Sequence, residues 1–435
     1  MTTELNGMLD LRLVRDDPAL VRERLGRRGD SRVSEIIDRL LAADEERRAL
    51  ITEVGALRSR RNEVSPMVGR LRKEGRAAEA DALILEMRQV GDRIAEIESR
   101  LAVVEGEVRD HLLQLPNLPE PDVPPGDASA NVVVREWGES PEFGFPPQSH
   151  LEIGERLGIL DFPRGAKITG SGFPVLVGAG ARLERALINF MIDMHAREHG
   201  YTEVWPPFLI NREAALGTGH LPKFGEDMYD VPEDGLYLVP TAEVPITNLH
   251  AGELLHGADL PIRYVAYTPC FRREAGAHGR ETRGLIRVHQ FDKVEMVRFE
   301  RPEDSGAALE ELTTHAEEVL RRLGLRYRVL LLAGGDLGFA NAKTYDLEVW
   351  APGSDRWLEV SSCSLYGSFQ ARRANIRYRP APGQSPEFVH TLNGSGLALA
   401  RVMVALLECG QLPDGSVRLP ASLVPYFGAD HIPAP

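Results

Sequence analysis

Between residues 32 and 113 apolar side chains recur at alternating steps of three and four, the spacing that keeps one stripe of a helix covered along its whole length. The first run places Val33, Ile36, Leu40, Ala43, Arg47, Leu50, Val54, Leu57, Arg61 and Val64 on that stripe; the second places Ala80, Leu83, Met87, Val90, Ile94, Ile97, Leu101, Val104, Val108 and His111 there. Each run predicts a long helix, over about 32–65 and 76–113, and Pro66, Gly69 and Gly75 between them predict a reversal. The pair makes an antiparallel coiled-coil arm roughly 50 Å long. Heptads alone suit a dimerisation coiled coil or a spacer. The charges favour another use: from Arg58 to Arg76 seven cations, Arg58, Arg60, Arg61, Arg70, Arg72, Lys73 and Arg76, stand against Glu63 and Glu74. A basic tip on a long arm suits a phosphate backbone too large for a pocket.

That patch matters because the whole chain carries a formal net charge of -14 and repels polyanions unless cations are gathered locally. Residues 114–147 hold eight prolines and predict a stiff linker between an N-terminal domain at 1–113 and a second domain at 148–435. In the second domain RYVAYTPCF, IRVHQFDKVEMVRF, KTYDLEVW and RWLEVSS alternate as strands do, while ARLERALINFMIDMHAREHG, HAEEVLRRLG and LALARVMVALLECG carry the helical period. Strands that cluster instead of alternating with helices predict an α+β class built on an antiparallel sheet. No apolar run approaches the roughly 20 residues that cross a bilayer, and the charged opening MTTELNGMLDLRLVRDDP lacks the apolar segment of a secretory leader. A cytoplasmic location with no membrane partner is expected, with Cys270, Cys363 and Cys409 reduced.

The stretch CFRREAGAHGRETRGLIRVHQFDKVEMV, 270–297, gathers five arginines, one lysine and two histidines among four carboxylates. Strand parity sorts it. Arg287, His289, Phe291, Lys293 and Glu295 share one face, while Ile286, Val288, Gln290, Asp292, Val294 and Met296 share the other, mostly apolar one. Upstream, Arg272 and Glu274 share a face, and Gly276, Gly279 and Gly284 let the loop between them and the second strand bend. A polar face with several arginines and one aromatic ring suits a nucleoside triphosphate, its base stacked on Phe291 and its phosphates on bidentate guanidinium donors. A salt-bridged surface hairpin is the plainer alternative, weakened by the matching parity of the two strands. The usual nucleotide signatures are missing: in GGDLGFANAKT Lys343 follows Ala342 instead of glycine, and neither GAGARL nor NGSGLAL completes G-x-G-x-x-G.

Three segments then occur in order: ARLERALINFMIDMHAREHGYTEVWPPF ending at Pro207, FRRE (271–274) leading through a loop to RGLIRVHQFDKVEM, and NGSGLALARVMVALLE with Arg401. Together with VPTAEVPI and EVSSCS they resemble the motifs of the seryl-tRNA synthetases, a family of class II aminoacyl-tRNA synthetases. The resemblance runs from the arm to the last helix. It implies an antiparallel-sheet class II catalytic domain, an N-terminal antiparallel helical coiled-coil arm, a homodimer formed through the first segment, and ATP-dependent ligation of L-serine to tRNA(Ser), in some hosts also tRNA(Sec), with Mg2+ and no DNA partner. It assigns catalytic roles to Arg272, Arg401 and Glu359. ATP would be held by Arg272, Arg273, Glu274, Val288, Phe291, Glu359, Val360, Ser361, Ser362 and Arg401: Arg272 on the α-phosphate, Glu274 at the adenine amino group, Phe291 stacked on the ring, and Arg401 at the γ-phosphate or near the base. Serine would meet Thr241, Ala242, Glu243, Arg272, Glu295, Asn393 and Ser395; Mg2+ would meet Glu359 and Ser362. The tRNA would meet Arg58, Arg61, Arg70, Arg72, Lys73 and Arg76. An ideal strand points Glu359 and Ser362 to opposite sides, so LEVSSCS requires a bulge or a strand end.

The implied chemistry explains why no catalytic triad is present. A serine carboxylate is already an anion at neutral pH, so attack on the α-phosphorus needs alignment and charge neutralisation, not a base. A site that hydrogen-bonds the serine hydroxyl also rejects alanine, because alanine leaves buried polar groups unpaired. In SSCSLYGSFQARRANIRYR, Leu365, Tyr366 and Gly367 stand where the family carries more polar residues, which puts that loop in question. MTTELNG precedes the family's usual start and reads as a short extension or an upstream start codon; His278 reads as a solvent-facing substitution, Cys363 as a packed strand cysteine, and Tyr345, Asp346 and Glu348 as support for the sheet. Two alternatives stay open: an amino-acid ligase that charges a carrier protein, and a non-catalytic paralogue that binds RNA or regulates another protein. Arg280 and Arg283 have no role assigned.

Overall fold

The computed structural model describes residues 9–275 and 284–435. The expectations for MTTELNG, Gly276, His278, Gly279, Arg280 and Arg283 lie outside the described residues. The chain forms two compact units: residues up to Gly26 with Asp30–Pro116, and Arg27–Gly29 with Asn117–Pro435.

In the first unit two short helices, α1 (Leu11–Asp16) and α2 (Pro18–Gly26), precede the paired helices α3 (Arg32–Lys73) and α4 (Ala77–Gln114). The heptads position the seam as expected: Val33, Leu40, Ala43, Val54 and Val64 are buried on α3, and Ala80, Ile94, Ile97, Val104 and Val108 on α4. Near the base the stripe drifts by one residue, burying Ile37 in place of Ile36 and Leu112 in place of His111. The first helix does not stop near residue 65. It runs through Pro66 to Lys73, and the reversal falls at Glu74–Arg76, with Gly75 at φ +76°. Proline removes one N–H donor from the turn containing Asn62. That turn is exposed, so water can satisfy the freed carbonyl, and Val64 and Ala80 continue the buried seam toward the tip. Forty-two residues make the arm about 60 Å long rather than 50 Å.

The second unit is built on eight strands: β1 (Val132–Trp137), β2 (Thr202–Glu203), β3 (Ile262–Phe271), β4 (Gln290–Glu300), β5 (Tyr327–Leu331), β6 (Lys343–Ala351), β7 (Arg356–Gly367) and β8 (His390–Ala398). Their order is β1-β5-β6-β7-β8-β4-β3-β2, antiparallel at every step except β3 with β2. Helices α5 (Ala179–Arg197), α6 (Ser305–Arg322) and α8 (Leu399–Cys409) supply Leu183, Leu187, Leu312, Val319, Met403 and Leu407 to one core, into which the sheet sends Val294, Met296, Leu347 and Val360. The short helix α7 (Phe369–Ala374) packs on a second cluster with Ala242, Val297 and Tyr378.

The stretch 114–147 is not a linker throughout. The second unit begins at Asn117, and VVVREW forms the edge strand β1, where Trp137 stacks on Tyr327 with ring centroids 5.7 Å apart. Three successive valines favour a pleated strand more strongly than the surrounding prolines oppose one. Segment NGSG lies inside β8. Its glycines are chosen for space. A Cβ on Gly394 would sit 2.9 Å from the Cys363 sulfur, and one on Gly396 would sit 2.5 Å from Nε2 of His195.

Candidate active site

One face of β4, β7 and β8 opens onto a cavity of about 560 Å³, with Arg272 entering from just beyond the end of β3. The parity reading of β4 holds from its first residue onward: Phe291, Lys293 and Glu295 line the cavity, while Val294 and Met296 enter the core. Arg287 and Val288 line it as well, from the bend that precedes the strand. Bulges make the rest of the wall. Opposite β6, Ser362 pairs with Asp346, Ser361 with Leu347 and Glu359 with Glu348, so Val360 is the extra residue. Asp346 and Glu348 share a face of regular β6, and the bulge therefore turns both Glu359 and Ser362 to that face. A second register shift between β4 and β8 sets Ser395 opposite Glu295.

The inner end of the cavity is a buried polar network. Gln370 Nε2 donates to Glu243 Oε1 at 2.6 Å, and Asn393 Nδ2 donates to Glu243 Oε2 at 3.0 Å and to Glu295 Oε1 at 2.6 Å. The Tyr366 hydroxyl donates to Asn393 Oδ1 at 2.6 Å, and Lys293 pairs with Glu295. Burial pushes the Glu243 and Glu295 carboxyls above the usual range, opposed by the Lys293 charge. Two buried carboxylates face one lysine, so this end attracts a further cation. Thr241 accepts the Glu243 backbone N–H at 3.2 Å.

The outer end is a guanidinium cluster. Arg272 donates from Nε to Pro240 O at 3.2 Å and stands 5.2 Å from the Phe291 ring, and among the described residues the fork of its guanidinium has no hydrogen-bond partner. Glu274 holds the left-handed conformation at φ 53° and pairs with Arg287. A non-glycine residue in that region is strained and often marks a working site. Arg401, in the first turn of α8, donates to Ile286 O at 3.0 Å and Glu359 O at 2.7 Å, with the Glu359 carboxylate 3.5 Å away. Opposite Ser362, Asp346 is half-buried, its buried Oδ1 unpartnered among the described residues; burial, then the Glu359 charge, push its carboxyl well above the usual range.

The structure brings together all but two of the residues expected around ATP and serine. Arg273 turns away, donating to Met228 O at 3.0 Å, pairing with Asp230 and lying over Tyr229, because its side chain leaves the backbone opposite to Arg272. Ala242 packs into the cluster with Ile246 and Leu255. Asp346, expected as support for the sheet, pairs with Ser362 in the β6–β7 ladder and also feels the Glu359 charge. Tyr366, the departure that put its loop in question, extends the continuous strand β7 and anchors Asn393. Lys293, Gln370 and His220 were not assigned to the site. Lys293 lay on the polar face that parity defined, whereas Gln370 and His220 arrive from distant segments with no local signal. Burial, then the Arg272 charge, push His220 down to about 3. All three cysteines are free.

At the arm tip, cations are sorted by partner. Arg58 pairs with Glu98 at 2.6 Å, Arg72 with Asp81 at 3.8 Å and Arg76 with Glu79 at 2.6 Å, while Arg61, Arg70 and Lys73 have no ion pair among the described residues.

Residues 227–409 match the profile of the "tRNA synthetase class II core domain (G, H, P, S and T)", and residues 8–119 match that of the "Seryl-tRNA synthetase N-terminal domain". A serine--tRNA ligase of Gemmatimonas aurantiaca is 54% identical, the alignment covering 97% of this chain and 99% of the relative; one of Thermomicrobium roseum is 55% identical over 97% and 94%. The crystal structure of a seryl-tRNA synthetase from Pyrococcus horikoshii complexed with ATP superposes with a TM-score of 0.94 at 38% identity, covering 98% of this chain and 100% of that one. With its arm, class II sheet and charged cavity, the chain belongs to the seryl-tRNA synthetases.

Proposed function

We propose that the cavity joins serine to ATP and that the activated serine is then esterified to tRNA(Ser). The observation that carries this reading is the division of the cavity into an anionic inner end and a cationic outer end, joined at Arg272. The excess negative charge of Glu243 and Glu295 receives the serine ammonium, and Glu295, Asn393 and Ser395 surround its hydroxyl. Arg272 then lies between the serine carboxylate and the α-phosphate, and the adenine stacks on Phe291 near Glu274.

Attack by the carboxylate oxygen on the α-phosphorus forms the seryl-adenylate and breaks the bond to the bridging oxygen, so pyrophosphate leaves with that electron pair. Arg272 stabilises the charge that grows on the α-phosphate oxygens, and Arg401 that on the departing phosphates. Glu359 and Ser362 are hard oxygen donors, and the unpartnered Asp346 Oδ1 behind them supports a cation at this place. They would hold Mg2+, which supplies positive charge against the phosphates when bound. The terminal ribose hydroxyl of the tRNA next attacks the seryl carbonyl, losing its proton, and the mixed-anhydride bond breaks to release AMP. Arg61, Arg70 and Lys73 would grip the tRNA backbone.

Dimer formation is part of the same reading. Strand β2 ends the sheet, and Trp205 beyond it is 70% exposed, a surface that suits a second copy. No helix among the described residues is long and apolar enough to cross a membrane, and a cytoplasmic location follows from the substrates. Serine-dependent ATP–pyrophosphate exchange, measured over a panel of amino acids, tests activation: exchange with serine and not alanine is expected, and no exchange with serine rejects the reading. Transfer to a carrier protein in place of tRNA would favour the carrier-ligase alternative.

A further inference from the structure

The loop Leu337–Asn341 between β5 and β6 forms part of the cavity wall through Gly338, Phe339, Ala340 and Asn341. Its backbone is held in an unusual way. Arg28 Nη1 donates to Leu337 O at 3.2 Å and Gly338 O at 3.1 Å, and Arg28 Nη2 donates to Asn341 O at 2.5 Å. Asn117 supplies the other two donors, its backbone N–H to Phe339 O at 2.9 Å and its side-chain amide to Ala340 O at 2.8 Å. Two residues thus satisfy all five carbonyls of the loop. They also bond each other, Arg28 Nε to Asn117 O at 2.9 Å.

Among the described residues no carboxylate pairs with Arg28, and burial pushes its guanidinium down to about 10. Arg28 is half-buried, and a desolvated guanidinium without a counter-ion is costly unless its geometry is needed; a planar fork that meets several carbonyls at once is what lysine cannot reproduce. Close approach is built in: a Cβ on Gly334 would meet the Arg27 carbonyl oxygen at 2.5 Å.

We infer that Arg28 is a positioning residue for serine activation, holding the 337–341 wall against the serine end of the cavity. The connection to that end is direct. Asn117 Nδ2 also donates to Tyr366 O at 2.7 Å, and the Tyr366 hydroxyl fixes Asn393, which bonds both Glu243 and Glu295. The Phe339 ring packs edge-on to Phe369, whose neighbour Gln370 donates to Glu243. Among the described residues, Phe291, Glu274 and Arg401 at the nucleotide end show no hydrogen bond to Arg28, Asn117 or the 337–341 loop. The inference rests on the cavity being the serine-activation site.

The test is pyrophosphate exchange by the full chain, with active sites counted by the adenylate burst. Arg28→Met keeps the apolar stem and removes the fork; it raises the KM for serine roughly tenfold while the KM for ATP stays within about twofold. Arg28→Lys falls between Met and the parent. Asn117→Ala moves serine KM in the same direction, and decides the matter with Arg28→Lys if Arg28→Met does not fold. Serine KM within about twofold of the parent in the folded variants, with only the melting temperature lowered, overturns the inference and leaves Arg28 a clamp on the fold. A parent enzyme that shows no serine-dependent exchange rejects the reading of the cavity instead.

Discussion

The arm and the cavity are built from the same side chains, arginine against glutamate, yet they use them in opposite ways. Along the arm the pairs lie in water: Arg58 with Glu98 at 2.6 Å, Arg60 with Glu86 at 3.1 Å, Arg93 with Glu53 at 2.9 Å and Arg100 with Glu46 at 2.7 Å, each bridging α3 and α4. Such exposed pairs help fix the register of the hairpin but contribute little stability one by one. In the cavity Glu243, Lys293 and Glu295 are buried, and losing Lys293 leaves two buried carboxylates without their cation. Burial, not the number of charges, decides what each residue is worth. It also decides which cations remain available: at the tip, among the described residues, Arg61, Arg70 and Lys73 have no ion pair.

The contrast can be broken by substitution, beginning where the effect is greatest. Arg272→Ala should lower kcat/KM for adenylate formation about 10³-fold with the fold intact by circular dichroism, because a charge-stabilising donor is lost at the reacting phosphate. Glu295→Gln should lower kcat/KM for serine about 10²-fold while the KM for ATP hardly moves. Since burial raises the Glu243 and Glu295 carboxyls, and the serine ammonium needs them ionised, kcat/KM for serine should climb with pH through an apparent pKa above the ordinary carboxylate range. An acid limb at an unshifted carboxylate pKa would contradict this.

A smaller effect separates the two units by pH. Burial pushes His195 down to about 3 and His315 down to about 4. His195 bonds His199 at 2.9 Å and His199 stacks on His315 at 4.1 Å. Both imidazoles are neutral when folded, so their stabilisation is complete above the unfolded value near 6.5 and is lost as pH falls toward 4 and then 3. All four tryptophans, Trp137, Trp205, Trp350 and Trp357, lie in the second unit. Melting followed by tryptophan fluorescence should therefore drop between pH 6.5 and 5, and His315→Gln should flatten the slope. The smallest effect is Arg58→Gln, which should move the melting temperature of the arm by less than about 2 °C.

What could be read in advance follows the range of the interactions. The arm was legible because a heptad is local, and its end was misplaced because proline stops a helix only where the freed carbonyl cannot reach water. Strand parity found Phe291, Lys293 and Glu295, each spaced by two along β4. An ideal strand could not put Glu359 and Ser362 on one face; the bulge this required is at Val360, and its place depends on the partner strand β6. Gln370, His220 and Arg28 meet the cavity only through contacts across many tens of residues, and nothing beside them in the chain announces it. The prolines of 114–147 hid the strand at VVVREW for a simpler reason: composition averaged over a segment conceals six residues of the opposite tendency.

The most direct test of the division between arm and cavity is a single protein with Arg61→Gln, Arg70→Gln and Lys73→Gln, assayed in both half-reactions. Pyrophosphate exchange should stay within about twofold of the parent, while tRNA charging weakens at least tenfold and loses about two to three phosphate contacts' worth of salt dependence. An equal loss in exchange and charging, or charging that is unchanged, would contradict it.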